Sequence, residues 1–436
     1  MSKKLLIILI PFLLIPVVLF GLKKFPLNKK PVIESSAGTI RLWGLWENAD
    51  ISALLFESFK NLYPDIKIEY EDRNTGGLAE YKDLVFTRLL EGTAPDVILV
   101  HASWMPELLP YLKGAHDTAF TVADFNKDYY SAVSKVCVYG TAVACVAPSF
   151  DDLALVYNKD MFLQAGITTL PATWEDFRSY AKKLTVTDSS GKIVVGGTAM
   201  GASKNVAFAS DIIGLMLVQN NLKIPDNLDS KEAKEVFSYY SDFIKKDKVW
   251  DALLPNSLEA LASGKVAMAF APSRAMLGVL NSALSGVNLA VAPVPQIPTT
   301  DGATITSKNW ASFWVFVVPA TSKNSKVAWD FIKFVTSKDE LLKQYEAQSI
   351  YRVFGQVLPI TTLAETIGKN TYLAPYVLGS ANAEVSLISA ESGNDAYTGA
   401  INVAIDAVLS GTSLDGALSQ AKTTITTLQA TKRKKL

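Results

Sequence analysis

Between residues 39 and 101 the chain alternates strand-like and helical stretches, and that alternation leaves few folds open. "TIRLWGLW" reads as a strand, and the apolar residues of "DISALLFESFKNLY" recur at helical spacing. "DIKIEYED" alternates as a strand does, "LAEYKDLVFTRLLEG" is a helix ended by Gly92, and "PDVILVH" is apolar almost throughout. A strand with no polar face needs cover on both sides, which helices supply in a parallel sheet. The expected class is therefore α/β, with a mostly parallel sheet flanked by helices. A chain of 436 residues exceeds what one core can organise, so two lobes are expected.

The pattern continues after a cysteine-containing hairpin. In "LALVYNKDMFLQAG", Asn158 is a natural helix N-cap and Gly166 a stop. Thr173 precedes the next helix with Asp176 three residues on, a capping-box variant. Helical spacing returns at 201–220, 230–247, 395–409 and 413–430, while "NLAVAPVPQIP" and "WASFWVFVVP" read as strands. In "VAWDFIKFV" (327–335), Val327, Phe331, Ile332, Phe334 and Val335 form a core face, and Lys326, Asp330 and Lys333 a solvent face.

The formal charge of zero hides an uneven distribution. Six lysines and no acid occupy the first 30 residues, and Lys432, Arg433, Lys434 and Lys435 crowd the other end. The body between them holds 32 basic and 42 acidic side chains. A surface of that sign argues against a nucleic-acid partner. At the N-terminus, Lys3 and Lys4 precede the uncharged run Leu5–Leu22, and Lys23 and Lys24 follow it. Eighteen residues suit either a short membrane anchor or a long signal-peptide core. No cysteine follows the run, which speaks against a lipid anchor, and residues 31–38 read as a tether.

The only cysteines, Cys137 and Cys145, lie in "KVCVYGTAVACVAPS". A three-residue turn centred on Thr141 would set them opposite each other across a hairpin, at disulfide distance. Closing so short a loop contributes about 2 kcal/mol. Two buried free thiols are the alternative. A metal site is not expected, because no His or further Cys lies nearby. An oxidised pair would place the body outside the cytoplasm.

Catalytic signatures are missing. No nucleophile elbow, phosphate loop, dinucleotide fingerprint or zinc-protease motif occurs. His101 and His116 have no ligand-spaced partners and read as structural. Asp151 and Asp152 are adjacent, so on a strand they point to opposite faces and cannot both enter one site. No catalytic residue, cofactor or metal is expected. What stands out is tryptophan at strand ends, in the crevice where open α/β sheets bind ligands. Trp43, Trp104 and Trp310 could offer flat faces to sugar rings, or could be half-buried core rings.

With those motifs placed, the chain resembles the family 1 extracellular solute-binding proteins of ABC importers, the group that holds maltose-binding proteins. "LVYNKDMFLQAGITTLPATWEDF" (155–177), "LASGKVAMAF" (261–270), "VAPVPQIP" (291–298) and "SKNSKVAWDFIKFVTSKDELLKQY" (322–345) carry the resemblance. It implies a two-lobed periplasmic-binding-protein type II fold with solute in the cleft. Lobe 1 would be 39–147 with 305–352, and lobe 2 would be 148–300 with 358–430. Crossover hinges would lie near 145–152, 296–306 and 348–358. By the same resemblance Trp43, Glu47, Trp104, Asp151 or Asp152, Arg274, Trp310 and Tyr351 would face the cleft.

The expected function is capture of a carbohydrate for an ABC permease by a monomer on the extracytoplasmic face, held by Leu5–Leu22 or released if that run is cleaved. A non-sugar polar solute, such as a polyamine or glycerophosphodiester, is the second reading, and a secreted carbohydrate-active enzyme the third.

Overall fold

A computed structural model describes residues 38–45, 49–74, 76–298, 307–351 and 355–435. The expected anchor Leu5–Leu22 and site residue Glu47 lie outside those residues, as does the side chain of Tyr351. Among the described residues no helix is long and apolar enough to cross a membrane.

The chain opens with β1 (Gly38–Gly44), α1 (Ala49–Lys60), β2 (Ile66–Asp72), α2 (Leu78–Leu90) and β3 (Val97–His101). Short helices α3 (Met105–Leu108), α4 (Val122–Asp128) and α5 (Ser131–Cys137) lead to a hairpin, β4 (Val138–Tyr139) and β5 (Ala142–Val143). A second region follows with β6 (Leu153–Asn158), α6 (Lys159–Gln164), α7 (Trp174–Leu184), β7 (Val186–Thr187) and β8 (Ile193–Val195). It continues through α8 (Ala209–Gln219), α9 (Lys231–Lys245), α10 (Ser257–Ala262), β9 (Met268–Pro272), α11 (Ser273–Ser282) and β10 (Leu289–Ala292). Next come β11 (Asn309–Ala311), β12 (Trp314–Val317), α12 (Ser325–Val335), α13 (Lys338–Tyr351), α14 (Ala364–Ile367) and α15 (Ala374–Ser380). β13 (Ala383–Val385), α16 (Asp395–Leu409) and α17 (Leu414–Lys435) complete the order.

Two sheets organise two lobes. The first has the order β12-β3-β1-β2, in which β1 runs parallel to both neighbours and β12 is antiparallel to β3. The second, β10-β6-β9, is antiparallel at both pairings. The expectation of mostly parallel strands therefore holds in the first sheet and gives way in the second. There β9 and β10 both run against β6, a direction that the apolar runs themselves do not encode. β11 and β13 form a separate parallel pair. Bridges Val146↔Phe316, Phe150↔Val357 and Asp152↔Ala311 stitch the crossing chain segments together.

Local signals behave as their chemistry requires. Asn158 caps α6, accepting from the Asp160 and Met161 amides, and Gly166 takes φ 63° just past it. Thr173 and Asp176 form a reciprocal capping box on α7, a cap worth about 1 kcal/mol. On α12, Phe331, Ile332 and Val335 are buried and Lys326 and Lys333 exposed; Asp330 is half-buried, beside His116.

Cys137 and Cys145 form a disulfide, with Cα atoms 4.8 Å apart. The turn is tighter than the spacing implies. Val138 pairs with Val143 and Tyr139 with Ala142, so Gly140 and Thr141 alone make the turn, and Gly140 takes φ 58°. Cys137 closes α5 rather than extending a strand.

Candidate functional site

A cavity of about 200 Å³ opens between the lobes. First-lobe residues Gly44, Leu45 and Tyr70 border it on one side, and Ser273 and Arg274 on the other. Crossing residues Ser149, Phe150, Asp151, Ser312 and Phe313 lie between.

The polar side is built on the start of α11. β9 ends at Pro272, which cannot continue a ladder, and the first two helical amides then point back toward β6. Asp151 meets them: Ser273 N donates to Oδ1 at 2.8 Å and Arg274 N to Oδ2 at 3.2 Å. An anion at a helix N-terminus is favourable, and the Asp152 amide adds a third donor at 3.0 Å. Burial raises the Asp151 pKa, and the Arg274 charge with these donors opposes the rise. The Arg274 side chain reaches the other way. Its Nε donates to Glu391 Oε2 at 2.5 Å, and its terminal nitrogen pairs with the same oxygen.

Glu391 is held in turn. The adjacent Ala390 amide donates to both oxygens of Asp211 at 3.1 Å, and Ser210 Oγ adds a bond to Oδ2 at 3.0 Å. Asp211 is buried, and desolvation, with Glu391 nearby, raises its pKa to about 7 against the pull of those donors. No sequence motif marks Asp211 or Glu391. The bond from the Ala390 amide to Asp211 joins α8 to a loop some 180 residues away.

The same loop, 386–394, explains the tryptophans. Trp104 is fully buried and its Nε1 donates to Ser392 O at 2.7 Å. Trp310 is equally buried and donates to Ile388 O at 3.2 Å. Trp43 is 6% exposed and carries the Arg73 guanidinium 4.5 Å from its ring centroid. None of the three is among the described lining residues of the cavity, and Trp314, packed edge-on against Trp104, is. The expectation of open indole faces is corrected here to core rings. An indole at a strand end satisfies its N–H on a backbone carbonyl while its ring is covered from both sides.

Of the sequence-named residues, the structure brings Asp151 and Arg274 together at the cavity. Asp152 turns away from it, although both aspartates precede β6, which begins at Leu153. Its Oδ2 accepts from Asn309 Nδ2 at 2.8 Å, Oδ1 has no hydrogen-bond partner among the described residues, and burial with the neighbouring Asp151 holds its pKa well above the ordinary value. His101 is a buried linker between Ser103 Oγ at 2.8 Å and Ser312 Oγ at 2.9 Å, and desolvation holds it far below its usual pKa. Among the described residues no group of three or more His, Cys, Asp or Glu side chains could hold a metal ion.

A sequence profile for bacterial extracellular solute-binding proteins matches residues 46–341. A curated relative, an uncharacterized ABC transporter extracellular-binding protein of Pyrococcus horikoshii, is 27% identical over 135 residues, 30% of each chain. Among solved structures, a cyclo/maltodextrin-binding protein complexed with maltotetraose superposes with a TM-score of 0.70 at 17% identity, over 90% of this chain and 97% of that one. The sugar-binding protein MalE of Xanthomonas citri gives 0.72 at 16% identity, over 91% and 98%. The GacH receptor of Streptomyces glaucescens, solved unliganded and with acarbose, gives 0.67 at 20% identity, over 90% and 99%.

Proposed function

The chain belongs to the bacterial extracellular solute-binding proteins, and from that premise we propose that it captures a carbohydrate between its lobes and delivers it to the permease of an ABC importer. The observation that carries this reading is the cavity itself, walled by both lobes and floored by the crossing segment Ser149–Asp151. Crossing segments of this kind are where a two-lobed protein hinges, so solute bound there favours the closed form. Arg274, Ser149 and Ser312 supply donors and acceptors for hydroxyl groups, and Phe313 supplies an apolar face. Arg274 is already balanced by Glu391, so the described lining of the cavity offers no spare positive charge for an anionic solute.

Fold relatives solved with maltotetraose and with acarbose favour the same class of solute. We place the lobes, 39–147 with 305–352 and 148–300 with 358–430, on the extracytoplasmic face as a monomer, tethered through Leu5–Leu22. The family consists of binding proteins, and capture and release need no bond to be made or broken.

A thermal-shift panel on the full-length chain in phospholipid nanodiscs tests the reading. Sugar at one hundred times its dissociation constant should stabilise the fold by about 2.7 kcal/mol. The shift should vanish in Arg274→Ala. A response to a polyamine or glycerophosphodiester with silence from every mono- and oligosaccharide would overturn the carbohydrate assignment.

A further inference from the structure

The cavity does not stop at the cleft. On the first-lobe side it continues beneath the sheet as a recess formed by Leu42, Leu99 and Phe316 from three strands, Leu55 and Phe56 from α1, and Phe331 from α12. Strand register sets Leu99 opposite Phe316 and Leu42 opposite Tyr70, so these side chains share the face that α1 and α12 cover. Core layers of this kind are normally filled to crystal-like density. Here Leu55, Phe56, Tyr70 and Phe316 all keep partial exposure, although each belongs to the packed layer.

Gly44 helps to shape the entrance. A Cβ at that position would lie 2.6 Å from Cε2 of Tyr70, so glycine allows the tyrosine ring to lie across the strand end. Gln344 also borders the recess, but its Nε2 is committed to the carbonyls of Val335 and Glu340 at 2.8 and 3.2 Å.

Size and polarity together restrict what fits. About 200 Å³ is less than the ~300 Å³ at which pockets begin to enclose whole small ligands. That volume covers recess and rim together, and it exceeds the ~150 Å³ of an apolar protein cavity known to accept benzene. A sugar ring in the recess would leave its hydroxyls facing leucine and phenylalanine without partners, which is unfavourable. An aryl group or short alkyl chain meets no such penalty. Charged and polar side chains, meanwhile, gather at the rim on Ser149, Asp151, Ser273 and Arg274, while Ser52 and Tyr70 bring one hydroxyl each to the first-lobe side.

We propose that the solute is a glycoside with an apolar aglycone: the sugar sits at the Arg274 rim and the aglycone fills the recess under the first-lobe sheet. The proposal rests on the carbohydrate reading and narrows it.

Isothermal titration of the full-length chain in phospholipid nanodiscs can separate the two. The probes are glucose, galactose, mannose, maltose and cellobiose, each paired with its 4-nitrophenyl glycoside. For the sugar that binds, the nitrophenyl form should bind about tenfold tighter or better, as burial of one ring implies. Leu55→Trp, which extends a larger ring into the recess, should bring the ratio of the two affinities to about one. If that variant does not fold, Val335→Phe fills the same space from α12. A free sugar that binds as tightly as its aryl glycoside overturns the inference and leaves the carbohydrate reading standing. A tenfold gain that persists in both filled variants places the ring elsewhere and also overturns it. Silence from both members of every pair defeats the carbohydrate reading and the inference together.

Discussion

The two walls of the cavity solve different problems. The second-lobe wall is polar and saturated: Asp151 is fixed by three backbone amides, and Arg274 and Glu391 are fixed on each other. The first-lobe wall is apolar and underfilled, a core layer left partly open by Gly44, Leu99 and Phe316. One wall supplies oriented dipoles that need no rearrangement, and the other supplies surface to be dried by whatever enters. On the proposed reading, directional recognition belongs to the second lobe and burial to the first.

The largest effect expected from breaking this contrast is on the apolar wall. Phe331 is fully buried and packs edge-on against Phe59 with centroids 5.1 Å apart. Phe331→Ala should cost about 4 kcal/mol in chemical denaturation, since it enlarges a space that is already incompletely filled. A loss below about 1 kcal/mol would mean that the layer collapses freely and is not held open. On the polar wall, Asp151→Ala strands the Ser273 and Arg274 amides. With the bond from the Asp152 amide also lost, removing this buried acceptor should cost about 3 kcal/mol.

How much of this was legible in the sequence follows from range. Capping at Asn158 and Thr173 was readable because both partners lie within four residues. The first sheet was readable because "PDVILVH" announces burial on both faces. Arg274 and Asp151 were reachable through family resemblance. The tryptophans misled because a strand-end indole reads the same whether open or covered. Trp104 is covered by a loop 288 residues on. The antiparallel second sheet, Glu391 and Asp211 left no local trace, since each depends on a partner that only the folded chain brings near.

A third expectation concerns Asp211, which holds the loop carrying Glu391. Its folded pKa of about 7 lies above the ordinary 3.8, so between those values the folded form keeps a proton that the unfolded form has lost. Its contribution is present at low pH and fades as pH rises toward 7. Between pH 5 and pH 7 the wild type should lose about 2 kcal/mol that Asp211→Asn does not lose, measured by urea titration at each pH. Parallel pH profiles for the two proteins would show that Asp211 titrates normally, and the loop would then be held by an ordinary ionised carboxylate.

The smallest expected effect sharpens the comparison most, because it contrasts two neighbours. Asp152 is fully buried, accepts from Asn309, and has no partner at Oδ1 among the described residues. Burial and the charge of Asp151 raise its pKa well above the ordinary value, which favours the protonated acid. An amide of the same shape then replaces it with little change in charge or hydrogen bonding. Gly379 packs so closely here that a Cβ would sit 2.4 Å from Oδ2, which leaves room for an isostere and nothing larger. Asp152→Asn should therefore cost less than about 1 kcal/mol, whereas Asp151→Asn, which turns an amide donor toward backbone donors, should cost about 2 kcal/mol or more. Equal losses at the two positions would mean that Asp152 is ionised. The hinge would then hold a buried charge, and the division between a polar wall and a neutral interior would fail at its centre.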